Sequence, residues 1–338
     1  MKKIVLQQVQ HNPEDIRPSS VEGQSRRIGL VIDEGADLSR DLIEKYQMAT
    51  VPIKMDWPEI ENLPGENTFQ KMREAEKRGI KGFGKTSQPS PKDFLDAFKK
   101  QLERFDKIIC ITLTSKLSGT YNSAIQAKGI LSEGDQKRIF IVDSLNASCG
   151  EGLSVLRAID LIENRAPSLG GGGEGEDEDG VLIARGKVAE EIVKELEKFI
   201  PQVYLYGMLE DVKWLEASGR ISHALANWAR RMQKIGVRPI LGVKKGLVKA
   251  IGIKAGVKDI PTALFQELAG KTRKLRLKNK KIRVVITHGD NLERAQRLKE
   301  MIERELENAE VVFISLIDNV LGVLVGPGSL ILAWCEIT

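Results

Sequence analysis

From Ile28 to Glu163 the chain alternates short apolar runs with helical stretches, and that alternation restricts the fold more than any other feature. Ile28–Asp33, Thr50–Met55, Lys107–Thr114 and Arg138–Val142 are predicted as strands. Leu38–Tyr46, Phe69–Lys77, Pro91–Phe105, Gly119–Leu131 and Cys149–Glu163 are predicted as helices between and after them. Apolar strands separated by helices belong in a parallel sheet covered on both faces. Two helix starts can be assigned residue by residue. Ser90-Pro91-Lys92-Asp93 offers an N-cap serine, a proline at the first helical position and a carboxylate three residues on. Ser148-Cys149-Gly150-Glu151 reads as a capping box.

The second half has strands at Val203–Tyr206, Pro239–Val243, Leu247–Ile253, Ile282–Thr287, Val311–Ile314 and Ser329–Trp334. Its helices fall at Leu209–Ala217, Ser222–Ile235, Ile260–Leu268 and Leu292–Leu306. Several of these strands follow one another directly, so this sheet is expected to be mixed. Residues 1–26 carry little periodicity and read as an N-terminal extension. Residues 27–200 form the expected parallel-sheet α/β domain, and 201–338, after a junction at Pro201, a mixed-sheet α/β domain. Within the first, about 166–182 is a flexible insertion: four glycines followed by an acidic run bury no core. A helix resumes over Lys187–Phe199.

Composition removes several functional classes. A chain of 338 residues with 41% hydrophobic residues has a real core. Lys and Arg outnumber Asp and Glu by 52 to 47, too small an excess to argue for nucleic acid. Lys271–Arg283 concentrates eight basic residues, read first as a solvated loop and second as a docking face for an acidic partner or an anionic membrane. No apolar run is long enough to span a bilayer. Cys110, Cys149 and Cys335 are too far apart for a zinc site and odd in number, as expected of reduced thiols in a cytoplasmic protein.

Chemistry concentrates in two stretches, Lys85-Thr86-Ser87-Gln88-Pro89-Ser90 and Ser115-Lys116-Leu117-Ser118-Gly119-Thr120-Tyr121. Each is predicted to place a hydroxyl in a loop that opens into a helix, where unpaired amides attract an anion. In a parallel sheet ligands bind beyond the carboxyl ends of the strands. The loops Asp33–Asp37, Ser115–Ser118 and Asp143–Ser148 leave at that edge and are expected to converge, with Thr86 nearby. Gly79–Thr86 also matches GxxxxGK[ST], the alternative of a P-loop nucleotide enzyme, but a helix precedes it and the next helix starts only at Ser90. With three histidines, His11, His223 and His288, and no GxSxG elbow, acyl transfer by a Ser118 nucleophile is the weaker reading. The expectation is a protein that holds an acid, uses no cofactor or metal, and is not itself an enzyme.

Five motifs carry a family resemblance: Thr86-Ser87-Gln88-Pro89-Ser90, Leu117-Ser118-Gly119-Thr120-Tyr121, Val142-Asp143-Ser144, Ser218-Gly219-Arg220-Ile221-Ser222 and Gly326-Pro327-Gly328. In order and spacing they resemble the DegV family of bacterial fatty-acid-binding proteins, from about Ile28 to Trp334. The resemblance implies a three-layer N-terminal domain with a parallel sheet, a C-terminal domain with a mixed six-stranded sheet, and a long-chain fatty acid between them. It implies that Thr86 and Ser118 hold the carboxylate, with Gly119 beside them and Arg220 near the same end. It also implies a separate fatty acid kinase as partner, which converts the presented acid to an acyl phosphate for phospholipid synthesis. Two departures stand out. Leu324 occupies the place of a common family histidine, which puts kinase coupling in question and keeps open a binder uncoupled from any kinase. Asp33-Glu34-Gly35 stands where the family often has Asp-Ser-Thr. Burying about fourteen methylenes at ~0.8 kcal/mol each gives on the order of 11 kcal/mol before association costs. The tail would supply affinity while the hydroxyls fix the head.

Overall fold

The computed structural model describes residues 26–163, 183–184 and 188–337. The expected Gly/acidic insertion, nearly all of the N-terminal extension, His11 and the start of the Lys187 helix lie outside the described residues.

In the first half the strands are β1 (Arg26–Asp33), β2 (Ala49–Val51), β3 (Lys54–Asp56), β4 (Lys85–Ser87), β5 (Lys107–Thr112), β6 (Ile139–Asp143) and β7 (Ile183–Ala184). The helices among them are α1 (Arg40–Lys45), α2 (Pro58–Glu61), α3 (Thr68–Lys77), α4 (Pro91–Leu102), α5 (Thr120–Ile130), α6 (Glu133–Gln136), α7 (Cys149–Ile162) and α8 (Ala189–Phe199). The main sheet runs β2-β1-β5-β6, all parallel, and β7 adds an antiparallel pair to the start of β1. Alternate residues of β1 and β5 enter different cores. Val31, Ile108 and Cys110 meet Phe94 and Phe98 of α4 and Ala124 of α5. Leu30, Ile32, Ile109 and Ile111 meet Leu153 of α7 and Ile192 of α8. Helices therefore cover both faces, as the unbroken apolar runs require.

The second sheet is built from β8 (Tyr204–Met208), β9 (Val237–Lys244), β10 (Leu247–Ala255), β11 (Ile282–His288), β12 (Ala309–Leu316) and β13 (Leu330–Glu336). Its order is β10-β9-β8-β13-β11-β12, with only β11 and β12 parallel. The helices here are α9 (Lys213–Ala217), α10 (His223–Lys234), α11 (Ile260–Arg276), α12 (Leu292–Glu305) and α13 (Asn319–Val325). Helices α11 and α12 cover one face through Leu264, Leu268, Leu298 and Ile302. The other face turns its Leu205, Leu241 and Ile331 toward the core shared with α7. All but two residues of α7 are buried, because it lies between the two sheets.

Some elements depart from expectation. The stretch Thr50–Met55 is two strands rather than one, broken at Pro52, which has no N–H to donate. β3 leaves the main sheet to pair antiparallel with β4, setting Met55 opposite Thr86. α11 continues eight residues beyond Leu268 because Thr272 and Leu275 extend its inner face, so half of the expected basic loop is helix. α13 was not expected at all; Asp318 caps it by accepting from the amides of Val320 and Leu321.

Helix α3 ties the first half to the second. Asn67 donates to Asp290 at 2.9 Å and Thr68 to Asn319 at 2.7 Å. Phe69, fully buried, packs on the bare backbone of Gly289 and Gly322. Phe69→Ala is expected to cost about 3–5 kcal/mol, the range for a truncated core phenylalanine, read as a shift of the urea midpoint. An unchanged midpoint would mean this contact is not a main joint between the halves.

Candidate functional site

An apolar cavity lies between the two sheets. Ile53, Leu113 and Leu117 line it from the first half; Leu205, Leu209, Leu241, Val248 and Ile331 line it from the second sheet. α13 contributes Val320, Leu321, Leu324 and Val325. Among the described residues four polar side chains line it: Thr86, Ser118, Ser148 and Arg220. Three of the four residues singled out from sequence are thus brought to one cavity.

Each arrives by a different local device. Thr86 sits in β4, not in a loop before a helix as expected; α4 begins only at Pro91, where Ser90 and Asp93 form the anticipated capping box. Ser118 precedes α5, and its Oγ lies 2.8 Å from Thr120 Oγ1 and accepts from the Thr120 amide. Gly219 takes a left-handed φ of 74°, which returns the chain so that Arg220 Nη1 donates to the Ser218 carbonyl at 2.7 Å. Its Nη2 then reaches Thr86 Oγ1 at 3.1 Å. Gly119 is not part of the cavity wall. It lies beneath Gln88, whose carboxamide occupies the space a Cβ would need and donates to Ser123 Oγ at 3.1 Å. Gly119 therefore clamps the two motif loops together.

Arg220 decides the electrostatics. Among the described residues no carboxylate lies within ion-pair distance of it, and burial works against its charge. A half-buried guanidinium bonded only to neutral oxygens, with donors left over, is complementary to an anion. The Lys85-Thr86 pair has neither a strand before it nor a helix at it, which is the wrong context for a phosphate-cradling P-loop. His223 is exposed beside Glu216, and buried His288 accepts from the Asn291 amide; neither lines the cavity. Leu324, at the family's histidine position, is part of the apolar wall. Glu34, the other departure, accepts from the amide of Ile53 and so supports the same wall.

Behind Ser148 lies a feature sequence reasoning missed. The expected capping box does not form: Ser148 has a φ of 53° and makes no cap, and both Glu151 oxygens are buried without a partner. Ser148 Oγ instead donates to Asp37 and meets Thr287 Oγ1 at 3.0 Å. Asp37 Oδ1 accepts from the Asp318 amide at 2.8 Å, joining the two halves of the chain. Burial pushes Asp33 up to about 7 and Asp318 up to about 6; Asp37 and Glu151 rise well above the usual carboxylate range for the same reason, reinforced by their mutual repulsion. Asp33 and Asp37 lie in a loop that was expected to converge on this edge, but Glu151 and Asp318 carried no signal, because the sequence does not show that the starts of α7 and α13 face it.

The fold and site define an α/β protein with an anion-facing polar end on an apolar cavity between two sheets. Comparison with known proteins agrees on the fold. The model of the DegV family, described as an uncharacterised protein family, matches residues 27–168 and 179–336, and the chain belongs to that family. A DegV domain-containing protein of Clostridium acetobutylicum is 32% identical over 228 residues, 65% of this chain and 69% of that one. A fatty acid-binding protein of Thermotoga maritima is 27% identical over 313 residues, 90% of this chain and 96% of that one. The crystal structure of a stearic acid-binding protein from Eubacterium ventriosum superposes with a TM-score of 0.73 at 21% identity, covering 91% and 98% of the two chains, and so shares the fold.

The buried acids set the sign of a pH dependence. Their folded values lie above the ordinary 3.8, so the protonated form is favoured in the native state. Their contribution is fully present below pH 4 and is lost as pH climbs through 6 and 7. Unfolding midpoints should therefore fall between pH 5 and pH 8. Asp318→Asn retains the helix-capping oxygen and should flatten that fall; an identical slope would rule out Asp318 as a source.

Proposed function

We propose that this protein binds a long-chain fatty acid in the cavity between its sheets, the carboxylate against Thr86, Ser118 and Arg220 and the chain along the leucine and valine wall. The observation that carries this reading is Arg220: a cation without a carboxylate partner at a polar end of an otherwise apolar cavity. Gly119 contributes indirectly, by locking the two loops together. The relative from Thermotoga maritima is a fatty acid-binding protein and the structure of matching fold from Eubacterium ventriosum is a stearic acid-binding protein, which supports the ligand class. In this reading residues 27–200 and 201–338 are two domains that enclose the acid.

The protein is a carrier and not an enzyme. Among the described residues Ser118 Oγ bonds with Thr120 alone, and no imidazole or carboxylate is bonded to it to take its proton. Binding needs no cofactor or metal, since hydroxyls and one guanidinium neutralise the head. Three buried free thiols fit a reducing, cytoplasmic compartment. A fatty acid kinase is the fitting partner, because a carboxylate held at the polar end of the cavity is the group such an enzyme would phosphorylate. Leu324 removes one imidazole from that end, so binding is expected to be less impaired than kinase coupling.

Protein purified without added lipid should carry an acyl chain visible by native mass spectrometry. Thr86→Val with Ser118→Ala should lose it while keeping the wild-type circular dichroism spectrum. Arg220→Met should weaken fatty acid affinity about 10- to 150-fold, the worth of a hydrogen bond to a charged group. Full occupancy in the double variant would reject the head-group assignment.

A further inference from the structure

The end of α11 is not used by the cavity. Of the eight basic residues in Lys271–Arg283, three are paired: Lys271 with Glu267 at 3.5 Å, Lys280 with Glu336 at 3.1 Å and Arg283 with Asp160 at 2.7 Å. Arg273, Lys274, Lys278 and Lys281 are exposed, and none lies within ion-pair distance of a carboxylate among the described residues. Arg273, Lys274 and Leu277 recur at three- and four-residue spacings, so they share one face, and Lys278 follows directly in the turn that ends the helix. Leu277 still holds helical backbone at the cap and is 78% exposed, the most exposed large apolar side chain of the described residues. Asn279, in left-handed backbone with φ 52°, then turns the chain back toward β11. The result is an exposed helix tip whose one large apolar side chain lies among cations in the chain.

We propose that this tip docks the protein on an anionic lipid surface, with Leu277 inserted below the phosphates and Arg273, Lys274, Lys278 and Lys281 against them. Charge complementarity selects an anionic partner. The leucine among these cations selects a bilayer, since single-stranded nucleic acid would be met with aromatic stacking and an exposed leucine gains nothing from phosphates alone. The position also fits. α11 covers the face of the second sheet opposite the cavity, and its tip lies at the Ile282–Glu336 end, away from Ile331 in the cavity wall. Docking there leaves the cavity's sheet face uncovered.

The test is co-sedimentation with vesicles of pure phosphatidylcholine and with vesicles in which about one lipid in three is phosphatidylglycerol. The full chain should bind the anionic vesicles and not the neutral ones, and added salt should release it. Lys274→Glu, Lys278→Glu and Lys281→Glu together should lower binding about a hundredfold or more. Leu277→Asn, which leaves the charge unchanged, should lower it about tenfold. Thr86→Val with Ser118→Ala should bind vesicles normally, which separates this surface from the cavity reading. Equal binding to neutral vesicles, or wild-type binding by the triple variant, would overturn the proposal. Wild-type binding by Leu277→Asn would reduce the tip to a general polyanion surface and overturn the lipid assignment. Unchanged melting curves of the variants exclude misfolding.

Discussion

A half-buried guanidinium with no counter-ion among the described residues is the constraint on which the site depends. Arg220 is held by the Ser218 carbonyl and the Thr86 hydroxyl, neither of which offsets a full charge. In the proposed reading the missing charge comes with the ligand. The surrounding structure follows from that need. The left-handed turn at Gly219 aims the arginine, the β3–β4 ribbon presents Thr86 to it, and Gln88 over Gly119 holds the Ser118 loop against that ribbon. Beyond this polar end the walls are leucine, isoleucine and valine, which suit a ligand with one charged end and a long apolar remainder.

The second organising element is α7. A helix buried almost throughout can only lie between layers, and here it separates the parallel sheet from the mixed one. Its first turn carries Ser148 and Glu151 into a set of buried carboxyls with Asp33, Asp37 and Asp318. These groups span both halves of the chain through Asp37, Ser148 and Thr287, and Asp318 also caps α13, which supplies four residues to the cavity wall. The joint between the halves and one wall of the cavity therefore share a single hydrogen-bonded network.

Much of this was legible in sequence because it is local. The capping box at Ser90 and Asp93, the helix covers implied by unbroken apolar strands, and the convergence of loops at the strand ends all rest on short-range patterns. The family motifs identified Thr86, Ser118 and Arg220, and the structure gathers them at one cavity. What could not be read depends on partners distant in the chain. Thr86 is strand because Met55 lies opposite it, and Pro89 and Pro91 hid that pairing behind an apparent helix-entry loop. Ser148 has every mark of a cap but bonds Asp37, 111 residues earlier. α13 drew no expectation, because the polar residue that starts it, Asp318, shows its role only through the two amides from which it accepts.

The pairing of Arg220 with a carboxylate is tested most directly by carbon NMR of bound palmitate labelled at its carboxyl carbon, followed through a pH titration. A carboxylate held by this guanidinium and the two hydroxyls stays ionised well below its usual range, so its resonance should not move until the pH falls under about 4. In Arg220→Met the transition should shift upward. A bound acid that titrates at or above the value of an ordinary carboxylic acid, unaffected by loss of Arg220, would contradict the account.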